Sequence, residues 1–442
     1  MNFAQRVVPA TRLFSTTVAT PRSTSFATNK RECAYPVSGK TVVVSELKDA
    51  FNEVKSGDHI YVHGIAACPT PLLKGVIRSN SLFTGTNFRK AVNEGVVDFN
   101  SCFLSDIPHL FHRGAIKLNI ALLQVSAPDA NGYCSLGTNV DTTRSAMMNA
   151  DCIIAMSNRN MPRTFGDGLI HSSHFDVLVQ DDSHVLYHSK PGVQHGEQEK
   201  KIGRIIAEHL VDDGATLQMG IGAIPDAALA ALKDHKDLGI HTEMFSDGVL
   251  ELVRNNAITN SKKAVHPGKL VTTFVYGTPE LYDFVHDNPL VHFGDVEWVN
   301  DPAVIRRNPK VTAINSAVEV DLTGQVVSDS VGSRFLSGFG GQVDFIRGAA
   351  IGNDGLGKPI IALPAATKKG ETKIVPYLSQ GAGVVTSRAH VHYIVTEYGI
   401  AQLWGKNMRQ RAYELIKIAH PDHREFLEQS AFERLKVMPS CD

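Results

Sequence analysis

The chain has 442 residues and a formal charge of −1, with acids and bases almost evenly matched. That balance gives no electrostatic support for binding nucleic acid or an acidic membrane surface, and no apolar run of about 18 residues offers a membrane span. Its six cysteines (Cys33, Cys68, Cys102, Cys134, Cys152 and Cys441) form no C-x-x-C pair, which argues against a zinc ribbon or disulfide framework and for free thiols in a reducing compartment.

The leader carries Arg6, Arg12, Arg22, Lys30 and Arg31 with many Ser and Thr, and no acid before Glu32. This basic, acid-poor composition predicts a mitochondrial presequence over residues 1–31 and a mature protein in the matrix. The roughly 400 residues that follow exceed one hydrophobic core and suit two domains. Glycine, proline and β-branched residues alternate with Ala/Leu helices, the signature of an α/β fold. An internal echo divides the chain. Lys55-Ser56-Gly57-Asp58 leads into the run His59 to Val62, then Gly64, Pro69, Pro71 and an apolar helix start at Leu72-Leu73. Val211-Asp212-Asp213-Gly214 leads into Ala215 to Met219, then Gly220, Gly222, Pro225 and another apolar helix. Two similar α/β halves are expected, an N-terminal domain at 32–210 and a C-terminal domain at 211–442.

Two polar clusters mark the first half. VSAPDANGYCSLG (Val125 to Gly137) gathers turn residues around a tyrosine. MPRTFGDGLIHSSHFD (Met161 to Asp176) spaces His171, His174 and Asp176 as metal ligands could be spaced, but the stretch reads as strand and loop with no helical H-E-x-x-H context, and no metal site is expected.

The second half opens on GATLQMGIGAIPDAALAALKDHKDLGIHTEMFSDG (Gly214 to Gly248). Ala215 to Met219 reads as a buried strand, Gly220 and Gly222 as a turn, and Pro225-Asp226 as the opening of a helix. Glycines ahead of a helix N-terminus leave free N–H groups that suit a phosphate or an oxyanion. A second strand, Leu238 to His241, places Glu243 at its C-terminal end, and Ser246-Asp247-Gly248 reads as a helix cap. Two readings fit. Gly220-Ile221-Gly222 with an acid about 20 residues on resembles a dinucleotide fingerprint, although Pro225 stands where the third glycine belongs. Alternatively, Glu243 is a nucleophile aimed at an acyl group. A nucleotide or CoA sensor without catalysis is a further reading.

Beyond this, Thr312 to Ser330 alternates polar and apolar residues around Thr323-Gly324, a hairpin signal, with Asn315 just ahead of it. SGFGGQVDFIRGA (Ser337 to Ala349) is dense in glycine and carries Asp344 and Arg347, as backbone approaching a ligand requires. KPIIALPAATKKG (Lys358 to Gly370) reads as a strand ending in a small-residue loop with Lys368 and Lys369, which suits phosphate contact.

Taken together, VSAPDANGYCSLG, MPRTFGDGLIH, GIGAIPDA, HTEMFSDG, NSAVEVDLTG, SGFGGQVDFIRGA and GKNMRQRAYELIKIAHPDHR resemble, in family order, the acetyl-CoA hydrolase/transferase family of class I CoA-transferases. The resemblance implies two open α/β domains (NagB/RpiA-like) with the active site between them, usually in a homodimer. It implies that Glu243 is a covalent nucleophile and that the amide of Asn315 positions the acyl oxygen. It further implies that Gly220, Ile221, Gly222, Ala223 and Ile224, the loop residues Ser337, Gly340 and Gly341, and Lys368 contact CoA. The loop HGIAACPTP (His63 to Pro71) departs from the pattern, which usually carries more glycine there. The substrates implied are acyl-CoA and small carboxylic acids, acetyl-CoA and succinate first among them, with water as the competing acceptor of a hydrolase. One thioester is exchanged for another, so the chemistry calls for no ATP, metal or redox cofactor.

Overall fold

The computed structural model describes residues 33–37, 41–52, 54–72, 79–189, 196–220 and 222–442. The expected presequence, Leu73 and Ile221 lie outside the described residues.

The first half builds a sheet from β1 (Val42–Val44), β2 (Ile60–Val62), β3 (Leu118–Ser126), β4 (Ala150–Asn158) and β5 (Val177–Gln180). The order is β1-β5-β4-β3-β2 and every pairing is parallel. Central strands of a parallel sheet are covered on both faces and so read as continuous apolar runs. LNIALLQVS and ADCIIAMSN are such runs. On β3, Ile120 and Leu122 face one apolar cluster while Ala121, Leu123 and Val125 face another, the period of two expected of a strand.

After α1 (Glu197–Leu210), the second half forms β6 (Thr216–Met219), α2 (Ala223–Ala230), β7 (Gly239–Ile240) and α3 (Gly248–Arg254). It continues with β8 (Thr312–Ser316), α4 (Gln342–Ala350), β9 (Lys358–Ala362), β10 (Tyr393–Thr396) and β11 (Gly399–Gln402). Its sheet runs β7-β6-β8-β9-β10-β11, parallel apart from the terminal β10–β11 hairpin. The echo in sequence is an echo in topology. β2, β3, β4 and β5 are successive parallel neighbours, as are β6, β8, β9 and β10, and in each half the first of the four leads into the glycine-containing loop. Helix α1 ends at Leu210, where the boundary is expected, but its apolar face packs on α2 and β10 of the second sheet.

The halves are knit together. Phe165–Gly166 of the first half pairs with Val291–Phe293 of the second, which pairs in turn with Leu270–Thr272. One apolar cluster draws side chains from both, from Leu104 and Ile153 to Ile314 and Val395. The hairpin expected around Thr323-Gly324 is present, with Glu319 opposite Val327 and Val320 opposite Val326.

Two local expectations are corrected. Helix α2 begins at Ala223, two residues before Pro225. Asp247 occupies the N-cap position of α3 without capping it: its carboxylate instead accepts from the Thr278 N–H and hydroxyl, and Ser246 donates to Asp226. Here Thr278, a tertiary donor, takes the oxygens that a cap would lend to the helix.

Candidate active site

Glu243 lies between β7 and the short strand Met244–Phe245. Its carbonyl oxygen accepts from the N–H groups of Thr273 (2.9 Å) and Phe274 (3.2 Å) and from the hydroxyls of Thr272 and Thr273, each at 3.0 Å. The backbone is therefore fixed before the side chain is considered. The glycine loop is close by. Met219, the last residue of β6, donates its N–H to Thr242 Oγ1 at 3.3 Å, so the residues preceding Gly220 and Glu243 are bonded to each other.

The Glu243 carboxylate meets two donors. Asn300 Nδ2 donates to Oε2 at 2.9 Å, and the Gly341 N–H, at the N-cap of α4, faces the same group. A Cβ on Gly341 would stand 2.0 Å from Oε2 and 2.3 Å from Asn300 Nδ2. Only glycine lets the helix terminus come this close to the acid. Burial pushes the Glu243 carboxyl up to about 7, against the pull of Asn300 and the Gly341 N–H.

Three further carboxyls crowd this region. Asp344, in the first turn of α4, is buried and pushed up to about 7, by desolvation first and then by the charge of Glu243; Ser105 Oγ donates to its Oδ1 at 3.0 Å. Asp141 is raised well above the usual carboxylate range by burial and by Glu243 and Asp295. Its φ is +34°, a left-handed conformation that Asp tolerates better than most residues. Asp295 rises to about 6 through burial, while Ser145 Oγ (2.7 Å) and the Glu297 N–H (2.9 Å) hold it back. Ser105 and Asp141 come from the first half, Glu243, Asn300 and Asp344 from the second. The site thus sits where the halves meet, as the fold reading requires.

The expected CoA contacts fall in separate places. Gly222 has φ +135° with open space where a side chain would be, and Ala223 is exposed at the start of α2. Ile224 points into the apolar core. Gly340 has φ +58° and its carbonyl accepts from Leu104 of the first half at 3.1 Å; Phe83 packs against both Gly338 and Gly340. Ser337 is half-buried, donating its hydroxyl to Gly338 O. Lys368 stands exposed in the turn that Thr367 and Gly370 close.

Asn315 lies beside the glycine loop. The parallel register sets Ile314 opposite Met219, so Asn315 lies beside Gly220, and its amide exchanges bonds with Gln218 in both directions (2.9 and 3.3 Å). The amide on Glu243 belongs to Asn300, which follows the helix Val296–Val299. The possible metal ligands are also engaged elsewhere. His174 Nε2 bonds Tyr35 O, His171 pairs with Ser173, and Asp176 accepts from the Ile153 N–H. Asp129 of the first polar cluster closes its own turn and pairs with Arg163 of the second at 2.9 Å.

Two parallel-sheet halves that bring a carboxylate up to a helix N-terminus make a geometry suited to acyl or CoA transfer. Models of the acetyl-CoA hydrolase/transferase N-terminal and C-terminal domains match residues 72–187 and 277–431. Glu243 and the Gly220 loop lie between the matched segments. A Fasciola hepatica protein named succinyl-CoA:acetate/propanoyl-CoA:succinate CoA transferase is 51% identical over 93% of this chain and 94% of its own. A 4-hydroxybutyrate coenzyme A transferase of Clostridium kluyveri is 52% identical over 79% of this chain and 81% of its own. Among solved structures, RipA from Yersinia pestis superposes with a TM-score of 0.82 at 32% identity, covering 90% of this chain and 98% of its own. A 4-hydroxybutyrate CoA-transferase from Porphyromonas gingivalis gives 0.76 at 38%, covering 89% and 98%. The chain belongs to the acetyl-CoA hydrolase/transferase family, as a CoA-transferase acting between acyl-CoA and carboxylates.

Proposed function

We propose that this enzyme moves CoA from acetyl-CoA to succinate, and in reverse to acetate, through a γ-glutamyl-CoA thioester on Glu243. The observation that carries the reading is the carboxylate itself, half-buried and desolvated, backbone-fixed, and held through Oε2 by Asn300 beside the Gly341 N–H. With Oε2 anchored, Oε1 attacks the thioester carbonyl. The tetrahedral oxyanion collapses to a mixed anhydride and expels CoA thiolate; the thiolate attacks the glutamyl carbonyl and releases the free acid. The acceptor carboxylate reverses both steps, so charge is conserved throughout. Backbone and amide N–H groups aimed at such oxyanions are each worth roughly 3–4 kcal/mol. The name of the Fasciola hepatica relative supports succinate and acetate as the acids. The open space at Gly222 and the exposed start of α2 suit the CoA phosphates, with Lys368 as a further contact.

The test is incubation with acetyl-CoA and no acceptor. The peptide containing HTEMFSDG gains the mass of CoA, and succinate added afterwards discharges it. A panel of carboxylic acids ranks the acceptors, and CoA release without any acid measures hydrolysis. An adduct on another carboxylate would refute the mechanism.

We further propose that residues 1–31 direct the protein to the mitochondrial matrix, on the strength of the acid-free basic leader, and that the enzyme works as a homodimer. A reporter fused to 1–31 that stays in the cytosol, or sedimentation as a monomer at micromolar concentration, would count against these readings.

A further inference from the structure

The second half holds a buried histidine that the proposed chemistry does not use. His241 lies two positions before Glu243, and its side chain is buried. Its Nε2 stands 2.8 Å from the carbonyl oxygen of Val299, the residue before Asn300. A carbonyl cannot donate, so Nε2 carries the proton and gives it to Val299 O. His241 and Glu243 thus reach the same short segment, one to the Val299 carbonyl and the other to the Asn300 amide. The His241 ring also meets Phe345 edge-on, with centroids 6.3 Å apart, and is tilted against Trp298 at 5.9 Å. Phe345 in turn donates its N–H to Gly341 O at 3.2 Å. One side chain therefore touches both elements that supply a donor to the Glu243 carboxylate, the segment bearing Asn300 and the first turn of α4.

We propose that His241 is a positioning residue for the reaction: through its Nε2–H bond to Val299 O and its ring contact with Phe345, it sets the chain carrying Glu243 in register with the donors of Asn300 and Gly341. The proposal rests on the reading of Glu243 as nucleophile. A spacer alone would not need nitrogen. Nδ1 is buried with no partner, a cost that a phenyl ring of similar shape avoids. What imidazole adds over phenyl is the single bond to Val299. The backbone around it is held in other ways. The His241 N–H donates to Leu217 O at 3.1 Å, the Thr242 N–H to Val271 O at 3.0 Å, and Lys263 Nζ to Ile240 O at 2.6 Å. Those bonds tie the strand to its neighbours, whereas the imidazole bond ties it to the segment bearing Asn300.

The ring does this without carrying charge. Burial pulls the His241 imidazole down to about 3; the charge of Lys263 adds to this, the bond to Val299 opposes it, and His266 and His292 act with Lys263. The ring is neutral across the physiological range. Replacing it by Phe, Gln or Asn therefore changes no charge, and any movement in the titration of Glu243 in such a variant reports the geometry of its donors. Those donors oppose the rise that burial imposes on Glu243. Loosening them lets the carboxyl rise further and moves the acid limb of adduct formation to higher pH.

The experiment compares wild type, H241F, H241Q and H241N in single-turnover formation of the CoA adduct from acetyl-CoA as a function of pH. Gln carries an amide nitrogen about where Nε2 lies and can donate to Val299 O; Phe fills the space of the ring without a donor, and Asn holds a donor too short to reach. H241F and H241N should lose ~10- to 100-fold in rate at saturating acetyl-CoA, as a nucleophile misplaced by up to about 1 Å does. Half-saturation should change little, and the acid limb should move to higher pH. H241Q should recover most of the rate and the wild-type limb. A space-filling role predicts the reverse order, with H241F the best of the three. A second reading needs no variant's rate: nitrogen NMR spectra of histidine-labelled wild type should show a neutral ring protonated at Nε2 that does not titrate between about pH 5 and about pH 9, assigned to His241 by its loss in H241Q or H241N. H241F with the wild-type rate and limb, H241Q as slow as H241F, or a His241 ring protonated at Nδ1 would each overturn the proposal. An adduct on a carboxylate other than Glu243 would sink the nucleophile reading and the proposal with it, whereas an adduct on Glu243 with H241F unaffected would sink the proposal alone.

Discussion

Gly341→Ala is the sharpest perturbation the structure offers. Its Cβ would stand 2.0 Å from Glu243 Oε2 and 2.3 Å from Asn300 Nδ2, between the partners of a 2.9 Å hydrogen bond. Moving Oε2 from 2.0 Å to the 3.4 Å where ordinary contact begins is a displacement of about 1.4 Å. The backbone of Glu243 cannot absorb it, because four donors hold the carbonyl. The side chain must swing, the bond to Asn300 breaks, and the carboxylate leaves the helix terminus. A misplacement of about 1 Å costs ~100-fold in rate, so kcat should fall by at least that much, with about 1–3 kcal/mol of stability lost to overpacking. Single-turnover formation of the CoA adduct, followed by mass spectrometry, separates this from substrate binding. Gly85→Ala is the control, because a Cβ there has no neighbour within 4 Å and Gly85 lies outside the left-handed region; it should leave rate and melting temperature as they are. A Gly341→Ala enzyme that forms the adduct at the wild-type rate would refute the placement of Glu243 against the helix.

Other outcomes follow from the same geometry. Glu243→Gln should fold normally yet lose almost all transfer, and Glu243→Asp, which withdraws the oxygen by one methylene, should lose ~100-fold; adduct mass and kcat check both. Since only the ionised acid attacks, adduct formation in the wild type should rise with pH through about 7, and a flat acid limb would contradict this. Asn300→Ala should cost ~100-fold or more in kcat, while Asn315→Ala, which strips the Gln218 pair beside Gly220, should show its smaller effect in KM for acyl-CoA; reversed sizes would make Asn315 the amide that matters more to the chemical step. For Asp141→Asn, the sign comes from linkage. The folded carboxyl is raised above its unfolded value, so the folded state keeps a proton that the unfolded state releases, and stability declines as pH climbs above the unfolded value. Asn removes that decline, and the melting temperature of the variant should gain on the wild type between pH 5 and pH 8; parallel curves would show that Asp141 is not held protonated.

The sequence was most legible where local rules and tertiary structure agree. The run Ala215 to Met219, read as a buried strand, is the buried parallel strand β6, and the two echoed stretches each hold the first of four successive parallel neighbours in a sheet. Glu243 was legible because a strand, a glycine loop and a helix start fix its place within one continuous stretch. Asn300 was not. It follows a one-turn helix and precedes Asp301-Pro302, where it reads as a helix end, and only the tertiary fold brings it 57 positions back to Glu243. Asn315 was singled out through the family resemblance, for positioning the acyl oxygen, and the register that sets it beside Gly220 also gives it Gln218 as a partner. Asp344 was visible only as part of a glycine-rich segment, and Ser105, from the other half, carried no signal. Side chains that meet across the seam between the halves leave no spacing to read.

On the proposed mechanism, that seam also decides which of these desolvated acids serves as the nucleophile. Burial raises Asp141, Glu243, Asp295 and Asp344 alike, so burial cannot select among them. Donors can. Asp295 has Ser145 and the Glu297 N–H and ionises at about 6, but its oxygens are committed to holding the helix Val296–Val299 and Ser145. Asp141 leaves Oδ1 unpartnered and stays far above the usual range. Glu243 has the Asn300 N–H on Oε2 and the Gly341 N–H facing the carboxylate, and both favour its charge. Carboxylates are weak nucleophiles in water because water hydrogen-bonds both oxygens. In the proposed mechanism the Asn300 and Gly341 N–H groups replace part of that hydration and hold the carboxylate for attack on the thioester carbonyl.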